Sequence, residues 1–288
     1  MRRAATLAVV TTTSAYLPAT RAASALRSVG ELLREWRHRR RLSQLDLAIE
    51  ADISARHLSF VETGRSRPTS QMILQLAEHL DVPLRERNAL LLAGGYAPAY
   101  PQRGLGEPEL AAVRAALRQV LDGHQPYPAL VVNRWWELLD ANPAVPVLTA
   151  GAAPWLLEPP VNVLRLSLHP DGMAPRIANL AEWRAHVLAR LHRQAATTAD
   201  PRLDGLHEEL RGYPGGLADT PPGPSVMVPL RYRLGGTELA LFSTTAVIGT
   251  PRDVTVDELA IEAFYPADTA TASALQAASQ TRPAHPAG

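Results

Sequence analysis

SQLDLAIEADISARHLSFVETGRSRP, Ser43 to Pro68, is the stretch whose reading decides the fold of the first half of the chain. Ser43 is a natural N-cap, and Asp46 three residues on completes a capping-box pattern. Leu47, Ala48 and Ala51 then fall on one helical face, and Ile53 sits in a tight turn as a core plug. Ser54 caps a second helix whose inward face carries Leu58 and Val61. Ala55, Arg56, His57, Ser59 and Phe60 point outward from it. Gly64 serves as the helix stop, followed by Arg65 and Arg67. An ordinary helical hairpin is the plainer alternative. The small Ala48, the plug at Ile53, the capped second helix and the basic exit occur together, and that combination favours a helix-turn-helix that docks in a DNA groove.

The flanking sequence predicts three more helices. Val29 to Arg41 carries Leu32, Leu33 and Trp36. Ser70 caps a run with Ile73, Leu74, Ala77 and Leu80. Pro83 opens a last helix through Leu84, Leu90 and Leu91. Residues 29 to 92 resemble the lambda-repressor-like, Xre-type helix-turn-helix domain of bacterial regulators. The variant RHLSFVETGRSRP, Arg56 to Pro68, resembles the subgroup whose second half is an MmyB-like ligand-binding domain. The first-half resemblance implies an all-α, five-helix domain whose third helix reads bases from its start. At the matching positions it implies base contacts from Ala55, Arg56, Ser59 and Phe60, with backbone clamping by Gln44, Ser54 and Arg65. Arg56 is the leading reader, because Arg donates two bonds to a guanine edge.

The chain has 288 residues and a formal net charge of +1, enough for two domains and too neutral for a general polyanion binder. All 29 basic side chains are Arg, which with abundant Ala, Pro and Leu suggests a GC-rich bacterial source. Positive charge is local: Arg37, His38, Arg39, Arg40 and Arg41 end the first helix, and Arg65 and Arg67 follow the third. Such clusters suit phosphates, although cations at a helix end also suit the dipole. Cysteine is absent, which excludes disulfides, thiolate catalysis and Cys-ligated metals. No apolar run approaches the roughly 20 residues of a membrane helix. Residues 1–27 read as a flexible extension, or as an upstream start codon taken in error, and not as a secretion signal. A cytoplasmic, nucleoid-associated protein is expected.

Tyr96 to Pro108, YAPAYPQRGLGEP, reads as a linker, dividing a DNA-binding domain at 28–95 from a second domain at 109–267. Leu110, Val113, Leu117, Val120 and Leu121 make a helical stripe that leads into that domain or pairs two subunits. β-like runs follow at Ala129 to Asn133, Glu137 to Ala141, Val161 to Leu168, Val226 to Leu234 and Thr237 to Ile248. Helical segments at Leu180 to Arg193 and Leu203 to Leu210 lie between them. Gly235 and Gly236 mark a hairpin. The whole predicts an α+β domain on an antiparallel sheet. Residues 268–288 read as a disordered tail.

WWELLDANPAV (Trp135 to Val145), RLSLHPDGMAPRIANLAEWRAHVLARL (Arg165 to Leu191) and GTPRDVTVDELAIEAFYPADTAT (Gly249 to Thr271) resemble the MmyB-like domain. That resemblance implies a PAS-like five-stranded sheet and a small apolar ligand, with fatty acids the leading class. An acyl chain needs apolar walls and one or two polar groups for its head. Candidate walls are Trp135, Trp136, Leu138, Leu164, Leu166, Trp183, Val187, Phe242 and Ile248. Candidate head-group partners are Asn133, Arg134, Asn142, Arg165 and Asn179. Each of these also has a plainer use as core, turn or surface. The alternative role for the domain is a ligand-free dimerisation or partner module.

An enzyme is not expected. HExxH, GxSxG and glycine-rich phosphate loops are missing. His186 and His192 lie about 240° apart around a helix, and HPDG at 169–172 reads as a turn. No metal site or cofactor is expected. The partners implied are double-stranded DNA with a two-fold operator, a second copy of the chain, and an apolar effector.

Overall fold

A computed structural model describes residues 27–216 and 227–280. The expected N-terminal extension through residue 26, residues 217–226 and the end of the tail at 281–288 lie outside the described residues. The chain forms two compact units, one made of the helical residues to Gly104 together with Thr250–Asp257, the other of Leu105–Gly249 and the residues from Glu258.

Five helices build the first unit: α1 (Val29–Arg39), α2 (Gln44–Glu50), α3 (Ala55–Glu62), α4 (Ser70–His79) and α5 (Leu84–Ala93). Ser28, Ser43, Ser54 and Thr69 cap the first four, each accepting a backbone N–H three residues on. Thr69, and not Ser70, is the cap of α4. Leu33, Leu47, Leu58, Ile73, Leu80 and Leu90 converge in one core. Each helix ends the same way. A left-handed residue follows the C-cap (Arg41, Asp52, Gly64, Asp81, Gly95). The next N–H then reaches back to close the helix: Leu42 to Arg37, Ile53 to Ala48, Arg65 to Phe60, Val82 to Ala77 and Tyr96 to Leu91, at 2.8–3.2 Å. This is the Schellman stop, in which the returning residue ordinarily packs an apolar side chain on the helix. After α3 that position holds Arg65, which is exposed.

Gly30 lets α1 cross α3 at backbone distance. A Cβ there would lie 2.2 Å from the Val61 carbonyl oxygen. Arg37, in the last turn of α1, is buried, as is Glu62 at the end of α3.

Helix α5 has no local side-chain cap, since its N-cap position is Pro83. The Leu84 N–H is instead accepted by Asp257, 3.1 Å away and far along the chain. Asp257 ends a short helix, α11 (Val254–Asp257), within the segment that joins two strands of the other unit. Val254 N–H bonds the Pro101 carbonyl, Asp253 pairs with Arg103, and the Val254 and Val256 side chains are buried. The stretch read as a linker is held by these contacts as far as residue 104. Asn88 holds it, accepting from the Ala99 and Tyr100 N–H groups and donating to the Tyr100 carbonyl.

The second unit opens with α6 (Ala111–Gly123) and strands β1 (Ala129–Val132) and β2 (Leu138–Ala141), followed by α7 (Pro146–Thr149), α8 (Val163–Leu168), α9 (Leu180–Thr198) and α10 (Pro201–Arg211). Strands β3 (Leu230–Leu234), β4 (Thr237–Val247) and β5 (Ala260–Pro266) and helix α12 (Thr269–Gln280) complete it. The sheet order is β2-β1-β5-β4-β3, with every pairing antiparallel. Gly235 and Gly236 turn β3 into β4, with Leu234 opposite Thr237. Both faces of β1 are covered. Ala129 and Val131 pack with Leu117 and Leu121 of α6, while Leu130 and Val132 join the main core. The Leu117 and Leu121 part of the α6 stripe is thus spent within the chain, against β1 and β5.

Three further sequence expectations, all in the second unit, need correction. Val161 to Leu168 is not a strand: Asn162 caps a helix there by accepting the Arg165 N–H at 3.0 Å. Leu164, Leu166, Ser167 and Leu168 are all buried, so burial on several sides imitated strand alternation. The fifth strand is Ala260–Pro266, within a segment quoted for its resemblance but not read as a strand. The tail is not disordered from 269 to 280: Thr271 accepts the Ala240 N–H at 2.9 Å, and Leu275 joins the main core.

Candidate functional site

The candidate DNA-facing residues sort by what already occupies them. Arg56, in the first turn of α3, is exposed, and its guanidinium lies 5.4 Å over the Phe60 ring. Phe60 thus supports Arg56 from one turn below, a contact the residue types alone did not suggest. His57, Ser59 and Phe60 are half-buried along the same helix, and Ala55 packs against the core. The Ser54 hydroxyl is used as the cap, accepting from His57 N–H at 3.1 Å. Gln44 donates inward to Glu62 at 2.8 Å.

The basic clusters are less available than their spacing implies. Arg37 gives Nε and Nη2 to the two Glu62 oxygens at 2.7 and 2.9 Å, and Nη1 to the Leu42 carbonyl at 2.8 Å. Arg39 pairs with Glu35 at 2.6 Å, and Arg40 donates to the Leu80 and Asp81 carbonyls. Arg67 donates to the Gly94 carbonyl at 3.0 Å and lies over Tyr96. Arg65 differs from them: it is exposed, and its backbone N–H is engaged in the helix stop. Glu62 is the residue that sequence reasoning missed. Burial alone would push its carboxyl up, but the hydrogen bonds from Arg37 and Gln44 and the Arg37 charge hold it below 4.5.

The second unit encloses a cavity of about 80 Å³. Of the candidate walls, Trp136, Leu138, Leu164, Leu166, Trp183 and Val187 line it, together with Leu148, Val161, Met173 and Phe264. Trp136 is held in an unusual way. It sits at φ 64°, in the left-handed region, which is strained for a bulky residue. The Asn133 carboxamide pins this turn by accepting from the Trp135 and Glu137 N–H groups. The Trp136 indole N–H donates to Gln194 at 2.8 Å, and Trp183 donates to Ser167 at 3.0 Å.

Arg190, Glu262 and His186 are among the lining residues of a cavity whose exposed wall is almost wholly apolar. Arg190 lies 4.4 Å over the Trp136 ring and donates to both Glu262 oxygens at 2.9 Å. The Thr245 hydroxyl accepts from Arg190 and donates to Glu262. His186 stacks on Trp183, with ring centroids 5.6 Å apart. Burial first, then the Arg190 and Arg193 charges, hold its imidazole below 6.5. None of these polar residues was a candidate. A signal existed: Arg190 follows Trp183 and Val187 at helical spacing, and Glu262 is a lone acid inside the apolar run AIEAF.

The other candidates lie elsewhere. Trp135 donates to Asp200 at 2.7 Å and is flanked by Arg134 and Arg202. Arg134 is paired with Asp200 and Glu258. Asn142, 2% exposed, donates to the Leu121 and Tyr127 carbonyls and accepts from Ala129 and Ala144, stapling α6 to the sheet. Arg165 lies on α8, paired with Glu209 at 2.6 Å outside the cavity. Phe242 stacks on Tyr265 of β5, Asn179 ties α9 to the start of β3, and Ile248 packs beside α6. Among the described residues no cluster could hold a metal ion, and no helix is long and apolar enough to cross a membrane.

A helical unit carrying a helix-turn-helix with a capped second helix, and an α+β unit with an interior cavity, are the two parts of a DNA-binding transcription regulator. Residues 28–90 match the helix-turn-helix domain model, and residues 113–278 match the MmyB-like transcription regulator ligand binding domain. The chain belongs to this MmyB-like family. No curated protein matches it. A solved RNA-binding Light-Oxygen-Voltage receptor is similar at 16% identity and a TM-score of 0.27, over 91% of this chain and 66% of that one. That likeness is too low to bear on fold or binding.

Proposed function

We propose that the protein is a cytoplasmic, homodimeric regulator that reads a two-fold DNA site through α3 and is controlled by a small apolar molecule held in the second unit. The observation that carries this reading is the cavity itself, apolar along its walls. An acyl compound, the class to which fatty acids belong, fits such walls. Arg56 reads a base edge, and Arg65 anchors the phosphate backbone. Ser59 and Phe60 contact neighbouring bases. One helical unit spans only a few base pairs, so two copies on a palindrome supply the needed specificity. The ligand acts by binding one dimer geometry more tightly than another.

The test is organic extraction of the purified full chain with mass spectrometry, followed by affinity measurement on a selected DNA site before and after extraction. A recovered apolar compound whose removal changes affinity is the expected result. Unchanged DNA binding with an empty interior would instead make the second unit a scaffold that holds two DNA-binding heads together.

A further inference from the structure

Strand β4 outruns the strand beside it. β3 pairs with it only from Thr237 to Leu241, whereas β5 pairs with it as far as Val247. Residues 242–247 are therefore an edge of the sheet. The Ala240 N–H goes to the Thr271 hydroxyl and its carbonyl to the Ala267 N–H, both on the β5 side. Backbone groups point to alternate sides along an antiparallel strand. Those of Ser243, Thr245 and Val247 accordingly point away from β5, where they meet no partner among the described residues. Residues 244–247 are exposed.

The other edges of the sheet are blunted. On the outer side of β3 the Arg231 carbonyl accepts the Ala178 N–H, the Arg231 N–H goes to Asn179, and Arg231 and Arg233 add charge. β2 is only 4 residues long, carries Asp140, and gives the Leu138 N–H to the Val161 carbonyl. Short strands, charges and covering segments are how sheets avoid stray pairing. Residues 242–247, FSTTAV, have no charge and no proline. We propose that this edge pairs with the same edge of a second copy of the chain, antiparallel about a two-fold axis, so that one sheet runs through the dimer. The inference rests on the homodimer reading and names its surface. A two-fold axis sets the strand against itself, and like charges facing each other across it would repel. FSTTAV has none. An edge selecting a different partner would gain from charges that reject self-pairing, and it has none of those either.

The chain contains no cysteine, so single cysteines placed in turn at residues 243–247 report the pairing under mild oxidation. In such a pair only the residue on the axis faces its own copy, at ~4.5–5.5 Å between Cα atoms, within disulfide reach. Its neighbours stand roughly 7 Å or more from theirs, beyond that reach. Cross-linking is expected to peak at one position and fall away at its neighbours. Sedimentation of the full chain gives the second readout. Thr245→Pro removes a central outward N–H and should raise the dimer dissociation constant at least about tenfold above that of Thr245→Ala, which sheds the same hydroxyl. A dimer that cross-links at none of these positions, or equally at all, overturns the edge pairing and leaves the homodimer reading intact. So does a Thr245→Pro chain that dimerises as tightly as Thr245→Ala. A chain that is monomeric at every concentration overturns both. The cysteine scan decides the matter even if Thr245→Pro does not fold.

Discussion

Arg37 and Glu62 form a buried bidentate ion pair, 2.7 and 2.9 Å long, between the ends of α1 and α3. The same carboxylate accepts from Gln44 at the start of α2, so one acid ties three helices of the helix-turn-helix unit together. Arg37→Met leaves Glu62 buried without its cation and should cost about 3–5 kcal/mol. Chemical unfolding of the full chain, followed by circular dichroism, measures it. Loss of less than about 1 kcal/mol would remove the pair from the account of stability.

The pair also fixes a pH dependence. The Glu62 carboxyl is held below 4.5 in the folded chain, so its contribution is fully present above that value and is lost as pH falls through the lower folded one. Thermal scans should show the helical unit weakening below about pH 4.5, with a shallower dependence in Glu62→Gln.

Gly30 supplies the closest helix crossing. Gly30→Ala drives a methyl to 2.2 Å from a backbone oxygen, which cannot rotate away as a side chain would. Destabilisation of at least about 1–3 kcal/mol is expected, with a loss of DNA affinity in proportion to the unfolded fraction.

Arg56→Ala should cost about 1–3 kcal/mol on the cognate site and relax preference at one position. Equal losses on cognate and scrambled DNA would sink the base-reading role. Arg65→Ala should weaken both alike and reduce the slope of log affinity against log salt by about 0.9. Arg67→Ala should leave that slope unchanged and lower thermal stability, because Arg67 serves Gly94 and Tyr96.

Helix α12 gives a stability test in the second unit. Leu275 is 1% exposed, and Leu275→Ala should cost about 2–5 kcal/mol. A negligible change by denaturant titration would restore the reading of that segment as an unattached tail.

The first unit was legible in the sequence because its signals are local. Ser43, Ser54 and Gly64 announce helix starts and stops within a few residues, and Leu47, Leu58 and Val61 keep helical spacing. What escaped was non-local. Glu62 reads as one more exposed acid until α1 brings Arg37 to it. Asn162 could have flagged the helix at Val163–Leu168, but burial on several sides there imitated strand alternation. The apolar cavity wall was partly legible through Trp136, Trp183 and Val187. The Arg190–Glu262 pair beside Trp136 was not, because its members come from α9 and β5 and acquire meaning only together.

The capping of α5 by Asp257 bears on how this protein can be divided. The helical unit is discontinuous in sequence: cutting the chain near residue 104 leaves five helices but removes the acid that closes the last one and the two valines packed with it. A fragment ending there is a truncated unit and not an independent head, so footprints and affinities measured on it would describe a frayed α5. Proteolytic nicking between the two lobes should accordingly leave both pieces associated until denaturant is added.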